Sequence, residues 1–353
     1  MTVLTVADCY AKNVRERPKY RLLDLLEENG VYRLSTDIPP DKLRSTRDPF
    51  QLVAVHALVW GGELLFKIVK GTVLYVEEYK GKNFVFIWGK GVNHSDVMYT
   101  RKGNKLKREL ASSLPSKPEP VFALDFSLVD EHLVSEARSL RKQVGASLGV
   151  IRRYLWDRHL LLSSVKPGVY SWLKSFMATP HVQVSSLPAD EALRLRGYTK
   201  IILLDPSAEK PLTPLEVLEA DAFIIGAIVD RLPRPGATRG LELRGHYVSR
   251  RLELRGSIHG VPNRINMIIE ILLKARYDFC GDLEKAILST MGPRDARLRA
   301  MVELARWSRG RRRYVPCRLY YLLSSWLPLS FKDFVRAVHM AGLELKDEDN
   351  CNK

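Results

Sequence analysis

The stretch that decides the fold class is FIIGAIVDRL, residues 223–232. Its first seven residues are apolar or glycine, and Asp230 ends the run. Two similar runs, IILLDPSA at residues 201–208 and VFALDFSL at residues 121–128, also carry an aspartate toward their C-terminal ends. Short apolar runs are typical of strands that are buried on both faces. Because helix-like segments separate them, the sequence predicts a parallel sheet covered by helices on both sides.

The aspartates of these runs, Asp125, Asp205 and Asp230, are candidate site residues. In open α/β sheets, ligands bind beyond the carboxyl ends of the strands. The alternative is that each aspartate caps the segment that follows it. That alternative fits Asp205, since Asp-Pro commonly opens a turn. It fits Asp230 less well, because prolines at 233 and 235 leave no helix there to cap.

The sequence before residue 116 has a different character, because its apolar runs alternate with glycines. This pattern predicts a β-rich N-terminal domain over residues 1–115. A helix is predicted over residues 15–29, and the basic, proline-containing stretch 101–120 is predicted to be a linker. We expect the strands near residues 51–59, 64–69, 72–78 and 83–88.

Residues 116–275 contain the alternating strands and helices, with further strands predicted near 181–184, 200–204 and 222–229. Residues 276–353 are helical by their apolar period, which predicts a helical C-terminal domain. The final ten residues are polar and are predicted to be frayed.

The chain has 353 residues, a formal net charge of +16 and a sequence pI near 9.7. Such a charge favours a polyanionic partner, with nucleic acid as the first candidate. The alternative is a solvated cationic surface. A cluster suited to phosphate contacts comprises Arg138, Arg141, Lys142, Arg152, Arg153 and Arg158.

Several classes of protein receive no support from the sequence. No run approaches the ~20 apolar residues of a membrane helix, and the first residues lack a signal-peptide core, so a cytoplasmic protein without membrane association is predicted. The four cysteines are far apart and form no CxxC, which suggests neither a disulfide framework nor a zinc site. Nucleotide motifs such as GxGxxG and GxxxxGK[ST] do not occur.

Two further segments could contribute to a site. Glu136, Leu140 and Gln143 share one helical face, which could line a pocket, although a solvated edge is the better interpretation of these residues alone. In RRLELRGSIHGVPNRINMIIEIL, residues 250–272, Gly256 and Gly260 flank a loop that precedes a helix. Glycines there let backbone amides approach a ligand, whereas the alternative is an ordinary strand-to-helix turn.

Taken together, these segments resemble the SPOUT-class tRNA methyltransferases that modify N1 of the purine at tRNA position 9, especially the archaeal members. The resemblance covers roughly residues 121–291. Its most specific part is IIGAIVD, residues 224–230, which is similar to the Ile-Val-Gly-Gly-Ile-Val-Asp signature of the family. Ala227 replaces the second glycine of that signature.

The resemblance implies a SPOUT-type parallel sheet with a C-terminal trefoil knot, an exception to the rule that chains avoid knots. It also implies S-adenosyl-L-methionine as cofactor, tRNA as partner, no metal and a monomer. The glycines of the loops would give the cofactor clearance against the backbone. The implied cofactor-binding residues are Leu204, Asp205, Pro206, Gly226, Ala227, Ile228, Gly256, Ile258, Gly260, Val261, Pro262, Ile265 and Asn266.

By the same resemblance, Asp230 is the general base or orienting carboxylate, Asp125 and Glu136 lie near the target base, and Gln143 helps to place it. The resemblance also implies that the N-terminal domain (1–115) binds RNA and that the helical C-terminal domain (276–353) binds the tRNA. The implied tRNA-binding residues are Arg141, Lys142, Arg152, Arg153, Arg158, Arg311, Arg312 and Arg313.

Both purines are compatible with these acids. Guanine N1 carries a proton, which a carboxylate such as Asp230 could remove. Adenine N1 has a free lone pair, and there the acids would stabilise the cationic product instead. Two other functions stay open, namely a non-catalytic RNA-binding protein on a SPOUT scaffold and a SPOUT methyltransferase of ribosomal RNA.

Overall fold

The structure is a computed structural model that describes residues 14, 16–131, 133–174, 179, 181–229, 237–309 and 313–346. Asp230, Arg311 and Arg312, to which the sequence assigns functional roles, lie outside the described residues.

The described residues of the N-terminal part form a five-stranded mixed sheet, against which the helices α1 to α4 pack. In the sheet order β2-β5-β1-β4-β3, strand β1 runs parallel to β4 and β5, while β2 and β3 pair antiparallel with their neighbours. The apolar side chains of the helices and the sheet share one core. The elements are α1 (Pro18–Glu28), β1 (Arg33–Thr36), α2 (Pro40–Ser45), α3 (Pro49–Trp60), β2 (Glu63–Leu65), β3 (Lys70–Tyr79), β4 (Lys82–His94), β5 (Val97–Thr100) and α4 (Lys105–Ser113).

Two predictions for this region are wrong. The strand predicted near residues 51–59 is helix α3, which is buried almost all round. An apolar run without a polar face does not distinguish a buried helix from a buried strand, although Asp48 as cap and Pro49 at the first turn are helix-start signals. The predicted linker contains helix α4, which buries Leu106 and Leu110, one turn apart, against the N-terminal core. The region is therefore mixed α and β.

The central part of the chain forms a six-stranded sheet in the order β11-β9-β10-β6-β7-β8, and every neighbouring pair is parallel. This confirms the predicted parallel α/β sheet. Helices α5 and α9 pack against each other, and α9 also packs against α8. The elements are β6 (Val121–Asp125), α5 (Val134–Arg152), β7 (Leu160–Ser163), α6 (Pro167–Lys174), β8 (Gln183–Val184), α7 (Ala189–Leu195), β9 (Ile201–Leu204), α8 (Pro214–Glu219), β10 (Ala222–Gly226), β11 (Val248–Arg250) and α9 (Ile265–Tyr277).

The C-terminal part of the chain is mainly helical, as predicted, and its apolar side chains join the core of the central sheet. It also contains two short parallel strands that sequence reasoning missed, so residues predicted to be frayed form β13. The elements are α10 (Leu283–Thr290), α11 (Pro293–Ser308), β12 (Tyr314–Pro316), α12 (Arg318–Ser324), α13 (Phe331–Met340) and β13 (Glu344–Lys346).

The sequence suggests no disulfide framework, whereas in the structure Cys280 and Cys317 are both disulfide-bonded. Distance along the sequence does not limit distance in the folded chain, so wide spacing was weak evidence.

The N-terminal sheet is fastened to the central sheet by buried polar contacts. Glu16 accepts hydrogen bonds from Arg276 (Nη2 to Oε1, 2.9 Å) and from the Tyr277 hydroxyl (2.6 Å). The Gln51 amide on α3 donates to the Arg152 and Leu155 carbonyls at the end of α5, at 3.2 and 3.0 Å. These contacts fix the N-terminal sheet relative to the helix that flanks the predicted site.

No helix in the described part of the chain is both long enough and apolar enough to span a membrane.

Candidate functional site

The site predicted from the strand ends lies at the carboxyl edge of the central sheet. Strand register pairs Gly226 at the end of β10 with Asp125 at the end of β6, and Arg250 at the end of β11 with Leu204 at the end of β9. The backbone N–H of Asp205 donates to the Arg250 carbonyl at 2.9 Å. The structure thus brings the ends of four neighbouring strands together. The predicted strand over 222–229 ends earlier, at Gly226, and residues 227–229 continue as a loop.

Asp125 is almost completely buried, with 1% of its surface exposed. Its Oδ1 accepts a hydrogen bond from the Ser127 backbone N–H at 2.9 Å. Its Oδ2 accepts from the hydroxyls of Ser163 (3.3 Å) and Ser164 (3.0 Å) and from the Ala189 backbone N–H (3.1 Å). The carboxylate therefore ties the ends of β6 and β7 to the start of α7.

This geometry favours a different role for Asp125 from the one that the resemblance implies. Four donors already surround the carboxylate, and an ionised carboxylate accepts about four hydrogen bonds in all. Asp125 is therefore placed to shape the strand-end loops, whereas contact with a target base has no support in its described surroundings.

Glu136 and Gln143 are also engaged within the protein. Glu136 is buried at the third position of α5 and accepts a hydrogen bond from the Leu133 backbone N–H at 2.9 Å, as in a capping box. Gln143 Oε1 accepts from the Ile265 backbone N–H at 2.9 Å, at the start of α9. Gln143 thus holds the end of the loop 251–264 against α5, and neither residue lies on the solvated edge that the residues alone suggested.

The Cβ position of Gly226 faces flexible apolar side chains of the protein. A Cβ atom there would lie 2.8 Å from Ile228 Cδ1 and 3.6 Å from Leu241 Cδ1. The space beside Gly226 is therefore occupied by apolar side chains of the protein itself.

Gly256 and Gly260 likewise have local structural reasons. Arg255 and Gly256 have φ angles of 47° and 72°, and Leu254 and Ser257 exchange backbone hydrogen bonds of 2.8 and 3.1 Å around them. Positive φ at both central residues defines a type I′ turn, which favours glycine. Gly260 has a φ of 80°, and a Cβ there would lie 2.6 Å from Arg299 Cβ and 2.8 Å from its backbone nitrogen. Gly256 thus serves the turn and has open space beside it, whereas Gly260 lets the loop pack closely on α11.

Arg299 holds this turn from the C-terminal helices. The side chain is 1% exposed, and its Nη1 donates to the Leu254 carbonyl at 2.5 Å. Its Nη2 forms an ion pair with Glu303 at 2.7 Å. Sequence reasoning missed Arg299, since only the fold brings α11 next to residues 254–257.

The three predicted cofactor segments meet around one apolar core. Leu204, Ala227, Leu254 and Ile265 are buried members of it, and Val261 packs against it. Pro262 is also buried, whereas Ile228 and Asn266 are half-buried and Pro206 and Ile258 are exposed. The structure thus assembles these segments, with both buried and accessible residues among them.

Two buried side-chain oxygen atoms near this edge have no hydrogen-bond partner within the described part of the chain. They are the Ser127 hydroxyl, two residues beyond the end of β6, and Oδ1 of Asp190, whose Oδ2 accepts from the backbone N–H groups of Arg244 (2.8 Å) and His246 (3.0 Å). Buried polar atoms are rarely left without partners. The Ser127 hydroxyl is therefore a candidate for contact with a ligand, and no sequence signal pointed to it.

The basic residues divide into two groups. Arg141 and Lys142 are exposed on α5 and, with Arg138, Gly145 and Ala146, line a shallow depression of ≈490 Å³. Arg313 is exposed as well.

The other predicted cations of this surface have partners within the protein. Arg152 forms a bidentate pair with Asp157 (2.6 and 2.7 Å), Arg153 pairs with Glu270 (3.1 Å), and Arg158 donates to the Ser116 carbonyl (2.9 Å). Arg152 and Arg158 are half-buried, so their main described role is structural.

No group of three His, Cys, Asp or Glu side chains in the described ranges is arranged to hold a metal ion.

The α/β fold of this chain, built on a parallel sheet, is shared with a solved structure. A crystal structure of Sulfolobus acidocaldarius Trm10 in complex with S-adenosylhomocysteine is similar over 92% of this chain and 99% of that chain, with a TM-score of 0.65 and 20% sequence identity.

The sequence comparisons identify the relatives more closely. The chain is 26% identical over 357 residues to the tRNA (guanine(9)-/adenine(9)-N1)-methyltransferase of Thermococcus kodakarensis, covering 94% of this chain and 90% of the relative. It is 33% identical over 215 residues to the tRNA (adenine(9)-N1)-methyltransferase of Sulfolobus acidocaldarius, covering 59% of this chain and 65% of the relative. Archaeal Trm10 tRNA methyltransferases are therefore homologues of this chain, which confirms the resemblance found in the sequence.

A protein-family comparison matches a shorter region. Residues 149–261 match the family described as SFM1-like protein arginine N-methyltransferase. This region runs from the end of α5 to the loop before α9 and includes the ends of β9 and β10.

Proposed function

We propose that the protein is an S-adenosylmethionine-dependent tRNA methyltransferase that methylates N1 of guanine, adenine or both at position 9. The structural observation that carries this proposal is the hydrogen bond between Gln143 and Ile265. It joins the strand-end loops directly to α5, whose neighbouring residues Arg141 and Lys142 form the exposed basic surface. The homology to tRNA methyltransferases over most of the chain supports the same conclusion.

The cofactor would be held by the loops after β9 and β10 and by residues 251–266. The fit rests on the Ser127 hydroxyl, a buried polar atom without a partner near this edge, and on accessible apolar residues such as Ile258. When bound, S-adenosylmethionine supplies an activated methyl group. The protein then has to orient the purine and exclude water, and Asp125 and Gln143 contribute by fixing the loops.

Asp230 remains the proposed acid for the target purine. In the sequence it directly follows Ile228 and Val229, which are half-buried in the stretch after β10. With guanine, its carboxylate would accept the N1 proton; with adenine, it would stabilise the positive charge of the product.

The function is tested with purified protein, methyl-labelled S-adenosylmethionine and unmodified tRNA transcripts that carry guanine or adenine at position 9. We expect label in at least one transcript and none in a transcript with a pyrimidine there. Binding of tRNA without transfer of label would favour the non-catalytic RNA-binding protein. Label in ribosomal RNA alone would favour the other SPOUT function. Label in protein arginine would favour the activity of the family that matches residues 149–261.

Asp230→Asn tests the role of the acid. We expect methylation of guanine to fall at least tenfold, while calorimetry shows that cofactor affinity is retained. Asp221→Asn is a matched control at the start of β10, because Asp221 accepts hydrogen bonds from Thr199 and Lys200 at the opposite end of the strand. Unchanged guanine methylation by Asp230→Asn would remove the general-base role.

The finer architecture belongs to the same proposal. We propose that the C-terminal part of the sheet domain threads a trefoil knot whose loops are residues 204–206, 226–228 and 256–266. We also propose that the domains span residues 1–115, 116–275 and 276–353, and that the protein is a metal-free cytoplasmic monomer. The strand order, with β10 inserted between β9 and β6, supports the knot. An experimental density map in which the chain forms no knot at these loops would contradict it. Sedimentation at micromolar concentration tests the monomer, and a stable dimer would contradict that part.

A further inference from the structure

The N-terminal sheet carries an unusual surface where the segment between β2 and β3 adjoins the end of β4. Three large apolar side chains lie there in solvent, with exposed fractions of 78% for Phe66, 71% for Ile68 and 85% for Val92. Of the other described large apolar residues, Val134 alone exceeds 70%. Exposed apolar side chains that lie next to one another mark an interaction surface, whereas single exposed apolar residues are common on any protein.

The backbone around these side chains is held in place. The Ser95 backbone N–H donates to the Val69 carbonyl at 3.0 Å, and the Val69 N–H donates to the Ser95 hydroxyl at 3.1 Å. Lys70 pairs with His94 in the β3–β4 ladder. The ladder is interrupted next to this pair, where the Thr72 hydroxyl contacts the carbonyls of Trp88 (3.1 Å) and Lys90 (3.2 Å). The segments on both sides of Lys70 are therefore fastened to one sheet.

Cations surround the apolar side chains. Lys67, Lys70 and Lys90 are exposed, and none of them forms an ion pair with a described residue. A symmetric contact between two copies of this surface would bring these lysines together, so the charge disfavours a second copy of the chain. The surface needs a partner that offers both negative charge and flat apolar faces.

We infer that this platform, formed by Phe66, Lys67, Ile68, Lys70, Lys90 and Val92, binds an unpaired segment of RNA. Unpaired bases stack on exposed aromatic and apolar side chains, while lysines contact the phosphates between them. A base-paired helix has its base faces covered and would use only the lysines. The inference rests on RNA being the substrate, and it assigns to the N-terminal sheet the recognition of unpaired nucleotides outside the catalytic site.

The experiment measures the affinity of the full chain for an unstructured RNA oligonucleotide, for a duplex of equal length and for a tRNA transcript. We expect Phe66→Ala to weaken binding of the oligonucleotide and the tRNA about tenfold and to leave the duplex unchanged. Phe66→Trp should restore binding, because the ring is retained. Leu195→Ala, which truncates another exposed apolar residue (62% exposed), is the matched control and should leave every affinity unchanged. Lys70→Gln should make the slope of log K against log salt concentration shallower by about one, as expected for the loss of one phosphate contact.

Equal affinities of wild type and Phe66→Ala for the oligonucleotide, or an equal loss on duplex, would overturn the inference. So would binding of wild type to vesicles of phosphatidylserine and phosphatidylcholine that Phe66→Ala abolishes while RNA binding is kept. Methyl transfer at saturating tRNA separates this inference from the proposed function. Failure of wild type to methylate refutes the function, whereas the platform stands or falls with the dependence of binding on Phe66.

Discussion

Asp125→Asn gives the sharpest structural prediction, because the structure assigns this carboxylate to holding loops. Asparagine has nearly the same shape as aspartate but replaces one acceptor oxygen by an NH2 donor. If the amide oxygen faces the Ser127 N–H, the NH2 group faces the Ala189 N–H, and the reverse orientation leaves Ser127 without its acceptor. In either orientation one buried backbone donor loses its partner.

The loss in the free energy of unfolding follows from these contacts. A buried donor without a partner costs about 1–3 kcal/mol, and the remaining bonds lose the extra strength of a charged acceptor. The hydroxyls of Ser163 and Ser164 can rotate to accept from the amide, which limits the loss. We expect the free energy of unfolding to fall by about 2–4 kcal/mol.

Urea unfolding followed by circular dichroism measures this change as a lower midpoint with an unchanged slope. Asp130→Asn is the matched control. Its pair with Lys166 is 2.5 Å long, but both side chains are more than half exposed, at 63% and 58%. That substitution should change the free energy of unfolding by less than about 1 kcal/mol. An Asp125→Asn protein with unchanged stability and abolished methyl transfer would refute the structural role and restore a direct catalytic one.

Three further substitutions test other parts of the structure. Burial lowers the pKa of His159 to about 4, so between pH 6.5 and pH 4 the unfolded chain binds more protons than the folded chain. The free energy of unfolding therefore falls as the pH drops through that window. His159→Gln should make this fall shallower, as measured by urea unfolding at pH 7 and at pH 5. Glu16→Gln leaves the buried Arg276 without its counter-charge and should lower the free energy of unfolding by about 3–5 kcal/mol, measured in urea. Gly260→Ala combines a positive φ with overlap on the Arg299 backbone and should cost about 2–4 kcal/mol in the same assay.

Each of these has a control and a contradicting result. His339→Gln alters an exposed histidine and should leave the pH profile of wild type; an identical profile for His159→Gln would remove the buried imidazole as a cause. Glu28→Gln alters an exposed acid and should leave the free energy of unfolding unchanged. An equally unchanged free energy of unfolding for Glu16→Gln would contradict the stabilising role of the Glu16–Arg276 contact. Gly145→Ala has open space on α5 and should stabilise by about 0.5–1 kcal/mol; a similar gain for Gly260→Ala would disprove the close approach.

The parallel sheet could be predicted because its central strands β6, β9 and β10 are short apolar runs between helical segments, whereas the edge strands β8 and β11 are not apolar runs. The buried runs at Val121–Asp125, Ile201–Leu204 and Ala222–Gly226 are adjacent in the sheet, and their ends meet as expected. Helix α3 could not be recognised by period, since its apolar residues surround the whole helix. A polar face, which is the signal for an amphipathic helix, is absent there.

The residues of the candidate site were predicted better than their roles. Asp125, Glu136 and Gln143 lie where the strand ends and α5 meet the loops, but hydrogen bonds seen only in the fold engage each of them. The partners of Asp125 come from three separate segments of the chain, and no spacing along the sequence reveals them. The glycines show the same limit, because the space beside Gly260 is taken by Arg299, 39 residues later in the chain.

The most direct test of the central claim is to locate the methyl group. A tRNA transcript incubated with the protein and S-adenosylmethionine is digested with a nuclease, and the fragments are sequenced by mass spectrometry. The account predicts one N1-methylated purine, at position 9. A methyl group at another nucleotide, or none on tRNA while protein arginine is methylated, would contradict it.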